Sequence, residues 1–134
     1  MELSKMIVPS KTVWSEYPGV SGFSVQLAHL TRDELMKLRS KSMNKKISRK
    51  RGVEDEVDSE LFQDLYITAV VKDWKGLKLK YLPKFFPVNI GAQDEEEELE
   101  YSDDNARSLM KNSSDFDSWV SAMLEDIEAF SQPA

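Results

Sequence analysis

The stretch GFSVQLAHLTRDE, residues 22–34, predicts a strand followed directly by a helix. Apolar residues alternate with smaller or polar ones over its first half, which is the period of a half-buried strand. Thr31 and Glu34 then match a capping box, in which each side chain hydrogen-bonds the backbone of the other residue. We therefore expect a helix from about residue 32, with these residues on its buried side: Leu35, Leu38, Met43 and Ile47.

The chain before this stretch predicts no regular structure. Pro9, Pro18 and Gly19 interrupt any periodicity, so residues 1–21 are interpreted as an irregular N-terminal arm. Residues 22–131 are then expected to form a single domain.

The second half of the predicted helix is strongly basic. Residues 37–51 are rich in lysine and arginine and contain no acidic residue, and a run of acidic residues begins two positions after Gly52. Such a reversal of charge around a glycine is typical of an exposed connector, so we expect a mobile segment near residues 48–58.

The next segment predicts a second helix over residues 59–73. Leu61, Leu65 and Ala69 recur at steps of four, and a parallel row beside them completes an apolar face. The β-branched cluster at residues 67–71 is a competing strand signal. Residues 77–81 alternate leucine or tyrosine with lysine, which predicts a short edge strand that ends before Pro83.

The C-terminal third predicts an acidic loop and two helices. Residues 88–100 include the run DEEEE, whose like charges repel one another, so we expect a mobile or disordered connector there. Ser102 can cap the first helix and Ser114 the second. The apolar residues expected to face inward are Ala106, Leu109, Met110, Phe116, Trp119, Val120, Met123, Leu124, Ile127 and Phe130. The resulting fold class is mainly α, α+β, with about four helices and a small antiparallel sheet.

The sequence argues against an enzyme. It has no cysteine, which excludes a thiol nucleophile and a thiolate zinc site. His29 is its one histidine, so no second histidine or cysteine is available for a nucleophile–base pair. No glycine-rich phosphate loop is present. We therefore predict no catalytic residue, no cofactor and no metal. The N-terminus lacks a signal peptide and no apolar run is long enough to span a membrane, so we expect a soluble intracellular protein without a membrane partner.

Two short motifs carry a resemblance to a known family. The first is an aliphatic pair, Val70 and Val71, followed by two polar residues and then Trp74 and Gly76. The second is an aromatic–serine step into a leucine-bearing helix, and its residues are Tyr101, Ser102, Asn105 and Leu109. In this order, over residues 22–130, the chain resembles the tail assembly chaperones of long-tailed, siphophage-like bacteriophages. Residues 78–98 are longer than the turn usual in that family.

The resemblance implies a non-enzymatic function. Tail assembly chaperones bind the tape measure protein, keep its apolar helices soluble and recruit tail tube subunits in the host cytoplasm, and they are absent from the mature virion. If this chain does the same, adaptable apolar side chains and a basic segment are its candidate contacts. These partner-binding candidates are Trp119, Met123, Met110, Met43, Lys45, Lys46 and Arg49. Each methionine and Trp119 has ordinary core packing as its alternative role.

Two other functions remain open, as does self-association. The chain could be a structural virion protein, such as a tail completion or connector subunit. It could also be a nucleic-acid-associated regulator that uses a basic helix over residues 37–51. The acidic balance of the whole chain and the absence of aromatic residues from that window disfavour nucleic acid as a partner.

Overall fold

The computed structural model describes Glu2, Leu3, residues 10–48 and residues 52–126, and of residues 10, 44–48 and 52–57 it describes the backbone alone. The elements in chain order are β1 (Ser10–Glu16), β2 (Ser24–Leu30), α1 (Arg32–Lys41), β3 (Met43–Ser48), β4 (Gly52–Val57), α2 (Ser59–Val70), β5 (Val71–Lys75), a 3₁₀ helix (Leu79–Lys84), α3 (Asp103–Asn112) and α4 (Ser114–Glu125). The predicted α+β class, with four α-helices and a small antiparallel sheet, is confirmed.

The strand β2 is the centre of a three-stranded antiparallel sheet, with β1 and β5 on either side. Phe23, Val25 and Leu27 are fully buried, as the alternation predicts. Trp74 of β5 lies opposite Val25, and Val71 lies opposite Leu27. The inward residues of β5 therefore continue the apolar face of β2, and the helices pack on that face.

The first strand corrects the prediction of an irregular arm. Residues 10–16 form β1 and pair with β2 along its whole length. Val13 packs against the core, whereas Trp14 lies 43% exposed with the Lys75 Nζ 4.8 Å from its ring centre. Because Val13 is the one large apolar residue on the inner side of this strand, alternation is too weak to predict it, and backbone pairing with β2 determines its conformation.

The capping box at the start of α1 is confirmed. The Glu34 backbone N–H donates to the Thr31 hydroxyl at 3.2 Å, and the Thr31 N–H donates to the Glu34 carboxylate at 3.0 Å. The helix ends at Lys41, however, and Ser42 closes it by donating its hydroxyl to the carbonyls of Leu38 and Arg39. The predicted continuation of this helix through Ile47 is therefore wrong.

The basic window instead forms one strand of a hairpin. In the β3–β4 register, Lys45 lies opposite Asp55 and Lys46 opposite Glu54. A continuous helix would stack like charges at spacings of three and four residues, which is unfavourable. The hairpin places each lysine opposite an acidic residue, and such cross-strand pairs are favourable. Residues 49–51 lie outside the described residues, and the mobility expected near residues 48–58 stays a prediction.

The helix α2 is confirmed, but it is shorter than the predicted 59–73. The Asp58 carboxylate caps it by accepting from the Leu61 N–H at 3.0 Å. At Val71 the backbone becomes extended and β5 begins, so the strand signal of the β-branched cluster prevails for its last residue. Pairing with β2 supplies the hydrogen bonds that another helical turn would have made.

The edge strand predicted for residues 77–81 is wrong. Only an isolated bridge joins Lys78 to Glu98, and the chain then turns into the 3₁₀ helix. Leu79, Leu82 and Phe85 are all buried. Because a 3₁₀ helix has three residues per turn, this spacing places all three side chains on one face toward the core.

The acidic connector has backbone partners, although residues 88–100 form no helix and only the isolated bridge to Lys78. The N–H groups of Leu79 and Lys80 donate to the carbonyls of Glu97 and Glu95 at 2.8 and 3.0 Å. The Glu96 carboxylate bridges the ammonium groups of Lys78 and Lys80, which lowers its pKa to about 2. The mobility predicted for this segment is untested.

The two C-terminal helices agree with their predicted apolar faces. Ser102 caps α3 by accepting from the Asn105 N–H at 3.0 Å. The cap of α4 is Ser113 rather than the predicted Ser114, since the Ser113 hydroxyl accepts from the Phe116 N–H at 3.2 Å. Five of the predicted inward residues are buried: Ala106, Leu109, Met110, Phe116 and Val120. Ile127 and Phe130 lie outside the described residues.

Aromatic side chains join the sheet to α4 at the centre of the core. The rings of Phe23, Phe85 and Phe116 contact one another, with centroids 5.9 to 6.3 Å apart. Among the described helices, none combines the length and apolarity that crossing a membrane requires.

Candidate partner-binding cleft

The residues of the two family-like motifs form one structural cluster. The Tyr101 hydroxyl donates to the Val71 carbonyl at 2.6 Å, and the Trp74 indole N–H donates to the Leu99 carbonyl at 2.8 Å. The rings of Trp74 and Tyr101 meet edge to face, 5.1 Å apart. These contacts attach the chain that leads into α3 to strand β5. Burial raises the pKa of Tyr101 to about 12, and the neighbouring Asp103 contributes further.

Gly76 completes this cluster through a close backbone approach. Its φ is +78°, and an added Cβ would lie 2.8 Å from the Gly22 carbonyl carbon and closer still to that oxygen. Only glycine satisfies both conditions without strain. Gly76 therefore follows Trp74 at this spacing because β5 ends there, in close contact with the residues that precede β2.

The remaining motif residues also support the fold. Asn105 donates its side-chain N–H to the Glu100 carbonyl at 2.9 Å, which fixes the chain ahead of α3. Val70 and Leu109 are almost fully buried. The motifs that carry the resemblance are thus mainly positions of packing and capping.

The structure does not gather into one surface the predicted partner-binding residues whose side chains it describes, which are Met43, Met110, Trp119 and Met123. Met110 is 6% exposed and belongs to the core, whereas Met123 and Trp119 are half-buried and pack against it. Trp119 contacts the rings of Tyr17 and Phe116. Met43 lies at the start of β3 and is 40% exposed. The side chains of Lys45 and Lys46 are not among those described, and Arg49 lies outside the described residues.

A cleft that the sequence does not predict lies where α1, α2, α4 and the end of β2 meet. Its volume is about 270 Å³. The cleft is lined by His29, Leu30, Leu35, Tyr66, Val70, Ser121, Leu124 and Glu125. Leu35 is 36% exposed, and α1 has no buried residue, although the helical spacing predicts Leu35 on a buried side. Leu35 is thus partly open to solvent at the mouth of the cleft instead of being covered by the core.

The electrostatic surroundings of this cleft are acidic on the α4 side. Glu125 lies on its rim, and burial together with the nearby Asp117 carboxylate raises the pKa of Tyr66. The Tyr66 phenol is therefore neutral across the physiological range and can take part in hydrogen bonds. The lining of the cleft is half aliphatic (Leu30, Leu35, Val70 and Leu124) and half polar (His29, Tyr66, Ser121 and Glu125).

The described residues contain no group of three or more histidine and acidic side chains that could hold a metal ion. Among them, every buried side-chain nitrogen or oxygen has a hydrogen-bond partner. The geometry therefore defines a small α+β protein whose candidate site is a cleft between helices with a mixed aliphatic and polar lining.

The chain belongs to the YdaY prophage protein family, whose model matches residues 30–134. It is therefore a phage-derived protein. The matched region begins at the last residue of β2, so it includes the helices and all of the cleft lining except His29, and it leaves out β1. No curated protein and no solved structure shows a significant match to the chain.

Proposed function

We propose that this protein is a non-enzymatic assembly chaperone for a phage tail. In this proposal it binds the tape measure protein in the host cytoplasm, helps to recruit tail tube subunits and is absent from the mature virion. Membership of a prophage family supports the phage setting. The order of motifs, from the strand and capped helix to the Tyr101–Ser102 step, supports the narrower class through its resemblance to tail assembly chaperones.

The cleft between α1, α2 and α4 is the observation that carries the proposal. Its volume, about 270 Å³, lies below the range of about 300–1,000 Å³ that is usual for sites that enclose a whole small molecule. It suits a few apolar side chains of a docked helix, and helix-in-groove binding uses such anchors at steps of three and four residues. The long apolar helices of a tape measure protein would offer them.

The acidic α4 would contribute solubility and selectivity. Asp117 and Glu125 are exposed on this helix, and α4 lies beside the cleft. A complex whose rim is negatively charged resists further association, because like charges on neighbouring complexes repel each other. The same charges disfavour acidic partners at that side of the cleft.

The experiment is co-expression with the tape measure protein of the same prophage, followed by measurement of the soluble fraction and by affinity capture. The cleft variant is Leu35→Glu, which places a charge in the apolar lining. The matched control is Met36→Glu, because Met36 is the next residue of α1, is 57% exposed and does not line the cleft. Thermal melts establish that both variants are folded.

We expect Leu35→Glu to lose capture of the tape measure protein, and Met36→Glu to retain it. The proposal fails if the tape measure protein is equally soluble without the chaperone, or if both variants capture it as well as the wild type does. Mass spectra of purified particles provide a second test. Stoichiometric presence of the protein there would favour a structural virion protein instead.

The structure weakens the support that the sequence offers for a nucleic-acid-associated function. The basic helix on which it depended is not formed, and in the hairpin register two of its lysines lie opposite acidic residues. Strong binding to phosphates requires basic side chains that are free to release counterions. The geometry therefore favours a polypeptide as the partner.

A further inference from the structure

A second cavity lies beside the cleft, on the other side of Leu30. Its volume is about 330 Å³, and Leu30 lines both cavities. The apolar part of its lining is aliphatic and consists of Leu30, Leu38 and Ala69. The two cavities thus form neighbouring parts of one surface that runs along α1.

Three lysines surround this second cavity, which we call the lysine groove. Lys37 and Lys41 come from α1, and Lys72 comes from β5. All three are exposed, and none of them makes an ion pair within the described part of the chain. The one acidic residue of the lining, Glu34, already accepts the Thr31 N–H in the capping box.

The arrangement of these lysines is unfavourable for the isolated protein. Lys37 and Lys41 are one helical turn apart, and like charges at that spacing repel each other. The position of Lys41 in the last turn has a local explanation, since a cation there interacts favourably with the helix dipole. Lys37 follows Asp33 by one helical turn, which offsets part of this repulsion, whereas Lys72 makes no ion pair among the described residues. With three lysines and one glutamate in its lining, the groove is positively charged, and a segment that carries carboxylates would complement that charge.

We propose that the lysine groove binds an acidic segment of a polypeptide, with an aliphatic side chain against Leu38 and Ala69 and carboxylates against the three lysines. This proposal rests on the proposed function in one respect: it assigns the acidic segment to the same protein that occupies the neighbouring cleft. Because Leu30 is shared, one amphipathic segment can fill both cavities. Nucleic acid fits less well, because the lining contains no aromatic residue on which a base could stack.

The test is an NMR titration of the full chain with three probes. The first is a helical peptide in which two glutamates lie one helical turn from each other, with a leucine between them. The second peptide has glutamine in place of both glutamates. The third is a single-stranded oligothymidylate. The groove variant is Lys37→Ala, Lys41→Ala and Lys72→Ala together. Its control, Lys11→Ala, Arg32→Ala and Arg39→Ala together, removes the same charge from exposed residues outside the groove.

We expect the wild type and the control variant to bind the acidic peptide about tenfold more tightly than the glutamine peptide, with shifts at α1 and β5. The groove variant should lose this preference, and added salt should weaken it in the wild type. Equal affinity for the two peptides, no binding of either, unchanged binding by the groove variant, or tighter binding of oligothymidylate would each overturn the proposal. The titration contains no tape measure protein, so its outcome is independent of the Leu35→Glu experiment.

Discussion

Replacement of Gly76 by alanine tests the close approach between the end of β5 and the chain that enters β2. Gly76 has a φ of +78°, and a Cβ there would overlap the Gly22 carbonyl. A non-glycine residue in the left-handed region costs about 1–2 kcal/mol. The overlap is with backbone rather than with a flexible side chain, so one strand has to move, and such overpacking typically costs a further 1–3 kcal/mol or so.

The matched control is Gly19→Ala. Gly19 has nearly the same φ, +81°, but nothing lies within 4 Å of an added Cβ. Both variants share the conformational cost and the same small gain from a stiffer unfolded chain. The difference between the two changes in unfolding free energy therefore isolates the steric overlap.

We expect Gly19→Ala to lower the free energy of unfolding by about 1 kcal/mol and Gly76→Ala to lower it by about 3 kcal/mol. The assay is urea denaturation followed by tryptophan fluorescence, because Trp74 is buried two residues from the substitution and reports the loss of this contact. A cost for Gly76→Ala no larger than that for Gly19→Ala would refute the reasoning.

Three further predictions follow from hydrogen bonds. Ser113→Ala should lower the free energy of unfolding in urea by about 1 kcal/mol, because it removes the cap of α4. Ser114→Ala should change the midpoint little, and the opposite result would show that Ser114 is the cap, as the sequence predicts. Tyr101→Phe should cost about 1 kcal/mol at neutral pH. Because the Tyr101 pKa is about 12 in the folded protein and 10.0 is its ordinary value, its contribution is complete below pH 10.0 and declines as the pH rises through about 12. Denaturation midpoints across this range should fall in the wild type more than in Tyr101→Phe, and equal slopes would contradict the assignment. Deletion of residues 94–98 should lower the midpoint clearly, because it removes the acceptor of the buried Leu79 N–H, and an unchanged midpoint would show that the connector is mobile.

The elements that the sequence predicts correctly depend on short-range interactions. The capping box at Thr31 and Glu34, the cap at Ser102 and the alternation before Thr31 each involve residues within a few positions of one another. Their hydrogen bonds and their apolar spacing are complete once the local backbone forms. The confirmed α+β class follows from these elements.

The errors concern segments whose alternatives are close in local preference. Residues 43–48 could continue α1 or form a strand, and the acidic residues of β4 decide in favour of the strand. Residues 77–81 alternate as a strand would, but the buried side chains of Leu79, Leu82 and Phe85 recur at a spacing of three, which a 3₁₀ turn places on one face. Residues 10–16 have little pattern of their own, and pairing with β2 makes them a strand.

The sequence does not predict the candidate site, for a related reason. The spacing of Leu35 places it on an apolar side of α1, and a sequence pattern cannot tell whether a helix covers that side or leaves it open. In the structure Leu35 stays 36% exposed and lines the cleft together with residues of α2 and α4. Lys37, Lys41 and Lys72 likewise line one cavity only in the folded chain, because Lys72 is distant from the two α1 lysines in sequence.

The amino-acid sequence by itself determined where most helices and the central strand begin, because caps and periodicity act over one or two turns. The tertiary structure alone decided the hairpin, the 3₁₀ turn, the close contact at Gly76 and both cavities. The hairpin depends on pairing between neighbouring strands, whereas the others depend on residues distant in the chain, whose free energy of interaction appears only when the packed elements bring them into contact.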